Sequence, residues 1–233
     1  MRIGGWAITI MALALAACGN EAASPAQADT ASAQPVAGQA APVTGPERVI
    51  LAFGDSLFAG YNLAEDEGYP EQLQAALRAD GINARVIDAG VSGDTTAAGR
   101  QRIGFVLDNA PAAPHLAIVE LGGNDMLRGL PPSATRENLA AILEELKARN
   151  IPVLLMGMRA PPNLGAQFQA EFDAIYPDLA RQYGAALVPF FLEAVYDKPE
   201  LNLPDRIHPT AEGVQALVAS TKGAVVAAIP PAE

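Results

Sequence analysis

Short apolar runs alternate with amphipathic segments over most of the chain, and this alternation restricts the fold more than any other feature. The runs predict strands at 48–53, 84–88, 116–121, 151–156 and 185–188. In the segments between and after them, apolar residues recur every three or four positions, which is typical of helices. These segments are 69–78, 95–109, 135–149, 167–183 and 210–229, and Pro177 predicts a kink in the fourth of them. Strands separated by helices indicate βαβ units, so we predict an α/β fold, a three-layer α/β/α sandwich around a five-stranded parallel sheet.

A glycine and two polar residues come directly after the first predicted strand. Gly54, Asp55 and Ser56 follow Phe53, so a serine hydroxyl lies at the carboxyl end of a core strand, where open α/β sheets place their ligand crevice. The same residue types are common in turns, and this stretch alone does not separate a turn from a nucleophile. Ser56 is a candidate nucleophile only if a histidine, an acid and oxyanion donors occur further along the chain.

Three later stretches also combine glycine or a charged residue with polar side chains, at 90–96, 122–125 and 205–209. The first two directly follow the second and third predicted strands. Because the carboxyl ends of parallel strands meet at one edge of the sheet, we expect Gly93 and Asn124 to lie near Ser56.

The chain contains two histidines. His115 precedes the third strand and should lie at the amino end of the sheet, away from Ser56 and without a role. His208 has Asp205 three residues before it, a spacing that lets the carboxylate accept from Nδ1 while Nε2 faces the serine. Asp205 comes too early to cap the last helix, a position that suits Thr210.

As a set, these motifs resemble those of the SGNH (GDSL) hydrolases, and the match runs from about residue 49 to about residue 217. The four residues that name the family correspond to Ser56, Gly93, Asn124 and His208. Further stretches are similar to the bacterial arylesterase and multifunctional thioesterase/lysophospholipase branch: 52–57 with Gly60-Tyr61, 83–86, 93–97 with Gly99, and 161–165. The resemblance implies a flavodoxin-like strand order and hydrolysis of carboxylic (aryl or acyl) esters, with thioesters and lysophospholipids as further substrates.

The expected mechanism is that of a serine hydrolase with an acyl-enzyme intermediate. Ser56 is the nucleophile, His208 the general base and acid, and Asp205 the residue that orients the imidazole. The oxyanion hole would consist of the Ser56 and Gly93 backbone N–H groups and the Asn124 amide, where loss of one donor typically lowers the rate about 10²–10³-fold. We expect no cofactor and no metal, and a small acyl or aryl ester as substrate.

Other interpretations of these residues stay open. Asp55, Asp94 and Asp125 neighbour the candidate site residues and could form a metal site or a phosphoacceptor, although this leaves Ser56 and His208 unexplained. Hydrogen bonds that these carboxylates accept from backbone N–H groups would instead brace the loops. Apolar loop residues predict an acyl or aryl cleft, or ordinary loop packing: Leu57, Phe58, Met126, Leu127 and 161–165.

Two functional alternatives also remain. The same residues would serve a carbohydrate O-deacetylase, which should prefer acetyl esters sharply. A non-catalytic lipoprotein that binds an acyl ligand would use the cleft without the nucleophile.

The first residues have the features of a lipoprotein signal peptide. Arg2 supplies a positive end, residues 4–17 are small and apolar, and residues 15–18, Leu-Ala-Ala-Cys, resemble a bacterial lipobox. We therefore predict a signal peptide at 1–17, lipidation of Cys18, a flexible linker at 18–46 and a hydrolase domain at 47–233. By resemblance to Gram-negative lipoproteins, Gly19 in place of aspartate favours the periplasmic face of the outer membrane, with a soluble periplasmic or secreted protein as the alternative.

The charge of the chain limits its partners. With 26 acidic and 15 basic residues, the formal net charge is -11, which argues against binding to nucleic acid or to an anionic membrane surface. The predicted contact with a membrane is therefore through the lipid anchor only.

Overall fold

The structure, a computed structural model, describes residues 43–231. The predicted signal peptide, Cys18 and the linker up to residue 42 lie outside the described residues. Between residues 43 and 231, no helix is both long enough and apolar enough to cross a bilayer.

The described residues form one parallel five-stranded sheet with the order β2-β1-β3-β4-β5. Its strands are β1 (Arg48–Gly54), β2 (Ala84–Gly90), β3 (Leu116–Glu120), β4 (Val153–Met156) and β5 (Ala186–Val188). The predicted α/β sandwich and its flavodoxin-like strand order are confirmed. In the register of the sheet, Gly54 pairs with Gly90 on β2 and with Glu120 on β3. Strands β1, β2 and β3 therefore end at the same level of the sheet, just before the segments that contain Ser56, Gly93 and Asn124.

Two helical layers cover the sheet. The helices are α1 (Tyr69–Ala79), α2 (Thr96–Asp108), α3 (Gly123–Leu127), α4 (Pro132–Ala148), α5 (Ala166–Asp173), α6 (Ile175–Tyr183) and α7 (Ala211–Ala228). In one layer α1 packs against α7, and in the other α4 packs against both α2 and α6. Residues 50–53 of β1 have no exposed surface, because a strand covered on both faces needs apolar side chains on both.

The helices differ from the prediction in two places. The stretch 122–125, expected as a loop, opens the five-residue helix α3. The single helix expected at 167–183 is two helices that meet at Ala174, and Pro177 lies in the first turn of α6 rather than at the break. Proline is tolerated there because the first backbone N–H groups of a helix have no partner within it. Thr210 caps α7 as predicted, since its Oγ1 accepts from the Gly213 N–H at 3.1 Å.

Candidate active site

Ser56, His208 and Asp205 lie in hydrogen-bond contact at the carboxyl edge of the sheet. The distance from Ser56 Oγ to His208 Nε2 is 2.8 Å, and that from His208 Nδ1 to Asp205 Oδ2 is 2.7 Å. Ser56 is the second residue after β1 and is 8% exposed, whereas the other two residues lie on the loop before α7. The structure thus brings together three side chains that the sequence predicted, in the predicted order of contacts.

The Asp205 carboxylate is held in its charged form by the loop around it. Partial burial opposes the charge, but hydrogen bonds from the His208 side chain and from the backbone N–H groups of Ile207 and His208 lower the pKa of Asp205 to about 2. A charged acceptor next to Nδ1 favours the tautomer with a proton on Nδ1. The lone pair of Nε2 then faces the Ser56 hydroxyl.

The ring of Tyr61 covers one face of the His208 imidazole. The two ring centroids are 4.3 Å apart, with an interplanar angle of 32°. The Tyr61 N–H also donates to the Ser56 carbonyl at 3.2 Å. The sequence had marked Tyr61 only as part of the family resemblance, yet its ring restricts the rotation of the imidazole next to the serine.

His115 lies at the opposite edge of the sheet, as predicted. Its Nδ1 accepts a hydrogen bond from the Val49 backbone N–H at 3.0 Å, next to the start of β3. This contact gives the side chain a structural role between neighbouring strands and leaves His208 as the histidine next to Ser56.

The three predicted oxyanion donors lie in different surroundings. Within residues 43–231, the backbone N–H groups of Ser56 and Gly93 make no hydrogen bond to a protein acceptor. Asn124 Nδ2 donates one of its two hydrogens to Asp55 Oδ2 at 2.9 Å, and the second hydrogen is available to a ligand. Ser56 and Asn124 line the cavity described below, whereas Gly93 is not part of its wall.

Gly93 has a left-handed backbone conformation with φ of +86°, which glycine adopts without strain. The guanidinium of Arg128, just after α3, donates to the Gly93 carbonyl at 2.8 Å. This bond ties the loop after β2 to the helix that carries Asn124.

Two of the three aspartates next to the site brace loops as predicted. Asp55 Oδ1 accepts from the Leu57 N–H at 3.1 Å, and Asp125 Oδ2 accepts from the Thr96 N–H at 2.8 Å. Asp94 differs, because it pairs with the Arg102 guanidinium at 2.6 Å instead of a backbone N–H. Among the described residues, no three His, Cys, Asp or Glu side chains are grouped so that they could hold a metal ion.

Glu120 is a buried acid next to the site that the sequence motifs did not predict. Its side chain has no exposed surface. The Asp55 N–H approaches Oε2 at 3.5 Å, and Oε1 has no hydrogen-bond partner among residues 43–231. Burial raises the pKa of Glu120 well above its usual value, and the nearby Asp55 carboxylate raises it further. The signal in the sequence was a single acid at the end of the apolar run 116–121.

A cavity of about 380 Å³ opens over Ser56, Asn124 and His208. Leu57, Met126, Leu127 and Pro161 line it, as the predicted apolar cleft required. The prediction was wrong for Phe58, which is fully buried in the core and stacks on Tyr69 with ring centroids 4.9 Å apart. It was also wrong for residues 162–165, which are not part of the cavity wall.

Further residues complete the cavity wall, and the sequence motifs did not predict them. Phe190 and Tyr196 extend its apolar part, and Arg159 and Arg206 add two cationic groups. The Arg159 guanidinium lies 5.0 Å from the centroid of the Phe190 ring. Arg206 stands between Asp205 and His208 in the sequence, a position that could have marked it in advance. Arg159 is brought to the cavity by the end of β4, which spacing along the chain does not show.

The fold and the site together define a class of three-layer α/β/α hydrolases. In this class a serine after the first strand is hydrogen-bonded to a histidine from the loop before the last helix. The chain belongs to the GDSL-like lipase/acylhydrolase family, whose sequence model matches residues 52–216.

Individual relatives agree with this assignment. The chain is 40% identical over 163 residues to an arylesterase of Vibrio mimicus, which covers 70% of this chain and 80% of the relative. It is also 40% identical over 163 residues to thioesterase 1/protease 1/lysophospholipase L1 of Escherichia coli strain K12, covering 70% and 76%. Among solved structures, the SGNH-hydrolase family esterase AlinE4 is 66% identical with a TM-score of 0.68, covering 81% of this chain and 100% of that chain. The resemblance stated from the sequence motifs is confirmed.

Proposed function

We propose that the protein is a serine ester hydrolase that cleaves carboxylic acyl or aryl esters through an acyl-enzyme. The observation that carries this proposal is the series of hydrogen bonds from Ser56 to His208 to Asp205 beside a largely apolar cavity. A serine hydroxyl is a weak nucleophile unless a base accepts its proton, and His208 Nε2 lies within reach of Ser56 Oγ.

The reaction has two halves. Ser56 Oγ attacks the acyl carbon while its proton moves to His208 Nε2. The bond to the leaving alcohol then breaks, and His208 returns the proton to that oxygen. In the second half His208 takes a proton from water, the resulting hydroxide attacks the acyl-enzyme, and the acid leaves as Ser56 regains its proton. Asp205 holds the ring and stabilises the imidazolium in both halves.

Negative charge on the acyl oxygen requires donors that are in place before the reaction. In our proposal they are the Ser56 and Gly93 backbone N–H groups and the Asn124 N–H that Asp55 does not bind. The free N–H groups of the first two and the position of Asn124 in the cavity wall support this assignment.

The cavity wall supports an apolar acyl or aryl group as the part of the substrate that is recognised. The cavity volume of about 380 Å³ is larger than an acetyl group would fill, so carbohydrate O-deacetylation is our second candidate function. Arg159 and Arg206 favour a further substrate class, because two guanidinium groups in the wall can hold the phosphate of a lysophospholipid. The name of the Escherichia coli relative includes lysophospholipase and thioesterase.

Hydrolysis of p-nitrophenyl acyl esters tests the proposal. We expect Ser56→Ala and His208→Ala to lower turnover about 10³-fold or more. Ser92→Ala is the matched control, because Ser92 is exposed on the loop after β2 and should retain wild-type turnover. Full turnover in either of the first two variants would overturn the assignment.

Two further measurements separate the alternatives. A sharp preference for acetyl over longer acyl chains would favour the carbohydrate O-deacetylase. Failure of a fluorophosphonate probe to label Ser56 would favour a non-catalytic acyl-binding lipoprotein.

For the location, we propose a lipoprotein anchored through Cys18 at the periplasmic face of the outer membrane. Its support is the sequence of residues 1–18. Metabolic labelling with palmitate should mark the wild-type protein and not Cys18→Ala, which should move to the soluble fraction. A wild-type protein that stays unlabelled and soluble would favour the soluble periplasmic or secreted alternative.

A further inference from the structure

The carboxyl group of Glu120 lies beneath the loop that carries Ser56, and the proposed mechanism does not use it. Glu120 ends β3 opposite Gly54, the last residue of β1. A fully buried carboxyl group is costly unless a partner satisfies it. Its neighbour here is Asp55, whose backbone N–H approaches Glu120 Oε2 at 3.5 Å and whose side chain is also buried.

Two neighbouring carboxyl groups that are both buried strongly disfavour carrying a charge at the same time, so one of them holds a proton. Asp55 accepts hydrogen bonds from the Leu57 N–H at 3.1 Å and from Asn124 Nδ2 at 2.9 Å, and such donors favour a charged acceptor. Glu120 has only the long contact with the Asp55 N–H among the described residues. The proton therefore belongs to Glu120, which can donate it in a hydrogen bond to the Asp55 carboxylate.

The Asp55 carboxylate in turn determines where the Asn124 amide points. One N–H of Asn124 binds Asp55 Oδ2, so the direction of the second N–H follows from the position of Asp55. An oxyanion donor must be aimed before the reaction, since reorientation during the reaction would reduce its effect. A hydrogen bond that fixes the Asp55 carboxylate would therefore also fix its two donors, the Asn124 amide and the Leu57 N–H next to Ser56.

We propose that Glu120 is a positioning residue, whose protonated carboxyl group hydrogen-bonds to Asp55 and thereby aims the Asn124 amide at the oxyanion. The inference rests on the proposed function, because it takes Asn124 as an oxyanion donor. Glu120 itself touches neither the substrate nor the reacting atoms.

Two substitutions of similar volume separate the hydrogen bond from packing. Glu120→Gln keeps a donor, whereas Glu120→Met fills the space without one. We expect Glu120→Gln to keep kcat within about 3-fold of the wild type. Glu120→Met should lower kcat about 10–100-fold with KM within about 3-fold, because an oxyanion contact is made only in the transition state. An equal loss of kcat in both variants, or a change in KM instead of kcat, would overturn the proposal.

A double-mutant cycle tests whether Glu120 acts through Asn124. In a protein that already carries Asn124→Ala, adding Glu120→Met should lower kcat by less than about 3-fold. If the two losses multiply, Glu120 does not act through the amide and the proposal fails.

Infrared spectroscopy tests the protonation of Glu120 directly, and it does not require the Glu120→Met variant to fold or to be active. The wild-type protein at pH 7 should show the carbonyl band of a buried protonated carboxyl group, and Glu120→Gln should lack it. Absence of the band in the wild type would overturn the proposal. These outcomes are distinct from failure of the proposed function, which would appear as turnover by Ser56→Ala.

Discussion

At the scale of a single residue, Asp205 shows how the loop before α7 positions the His208 imidazole. Its Oδ1 accepts from the backbone N–H groups of Ile207 and His208 at 2.9 and 3.1 Å, while Oδ2 binds the ring at 2.7 Å. The same short turn therefore positions the carboxylate and the imidazole together. A side chain only 37% exposed, with three donors, is a fixed acceptor rather than a mobile surface acid.

We predict that Asp205→Asn lowers kcat for p-nitrophenyl esters by about 10²–10⁴-fold, because an amide can stabilise the wrong tautomer of the imidazole and does not stabilise the imidazolium. KM should change much less. Glu200→Gln, an exposed acid in the preceding segment, is the control and should keep wild-type kinetics. Asp205→Asn with kcat within 3-fold of the wild type would contradict the role assigned to the carboxylate.

The residues of the site differ in how far the sequence could predict them. Ser56 and Asn124 were predictable because each follows a strand that ends at the same edge, and His208 because the other histidine lies at the opposite edge. Glu120 was not, since its position in the sequence does not reveal that its carboxyl group points into the interior against Asp55. Arg159 was missed for a similar reason: it follows the end of β4, but its position in the sequence does not reveal that its side chain lines the cavity.

At the scale of elements, α2 connects the loops on which the site depends. The guanidinium of Arg102 donates to Asp94 at 2.6 Å and to the Gly54 carbonyl at 2.9 Å. It also lies 4.0 Å from the centroid of the Phe53 ring. The end of β1, just before Ser56, is thus tied to the loop of Gly93 through one helix, and the position of this helix against the sheet matters for both loops.

The close approach of α2 to the sheet depends on Gly99, and a matched pair of substitutions on this helix tests it. A Cβ at Gly99 would lie 2.5 Å from Leu121 Cδ1 and 3.3 Å from Phe53 Cε1, whereas nothing lies within 4 Å of a Cβ at Gly104. We predict that Gly99→Ala lowers the free energy of unfolding by about 1–3 kcal/mol through overpacking. Gly104→Ala should raise it by roughly 0.5–1 kcal/mol, because alanine is the better helix former.

Urea denaturation of both variants measures these changes. Equal stabilisation by the two alanines would show that α2 has room to move from the sheet and that Gly99 is not needed for its packing. Catalysis adds a second measurement, since displacement of α2 by Gly99→Ala should also lower kcat, while Gly104→Ala should leave it unchanged.

The elements themselves were mostly predictable because strands and long helices carry periodic apolar patterns. All five strands and the helices of 11 or more residues lie where the sequence placed them, to within a few residues. The five-residue helix α3 was not predicted, since it is too short for a period and begins with glycine. The break at Ala174 was missed because the sequence offered Pro177 as a more obvious interruption.

For the whole molecule, the buried pair of Asp55 and Glu120 links the candidate site to overall stability. Tyr176 on α6 also lies near Glu120, and burial raises the pKa of this tyrosine well above its usual value, so it stays neutral. Because burial raises the pKa of Glu120 well above its usual value, its protonation differs between the folded and unfolded chain. Its ordinary pKa of 4.5 applies once the chain unfolds.

The sign of the pH effect follows from this difference. Below about pH 4.5 both states hold the proton and Glu120 contributes no pH dependence. As the pH rises, the unfolded chain releases the proton while the folded protein keeps it, so stability falls by at most about 1.4 kcal/mol per pH unit. Stability stops falling at the pH at which Glu120 also ionises in the folded protein.

We predict that Glu120→Gln removes this loss, so that the variant gains stability relative to the wild type between pH 5 and pH 7. Urea denaturation across that range measures the difference, and a constant offset from the substitution itself does not affect the slope. Ser92→Ala, a change at an exposed residue that removes no titratable group, is the control. Its difference from the wild type should be flat over the same range. A flat difference for Glu120→Gln as well would mean that Glu120 is already ionised in the folded protein, and the hydrogen bond to Asp55 would then lack its donor.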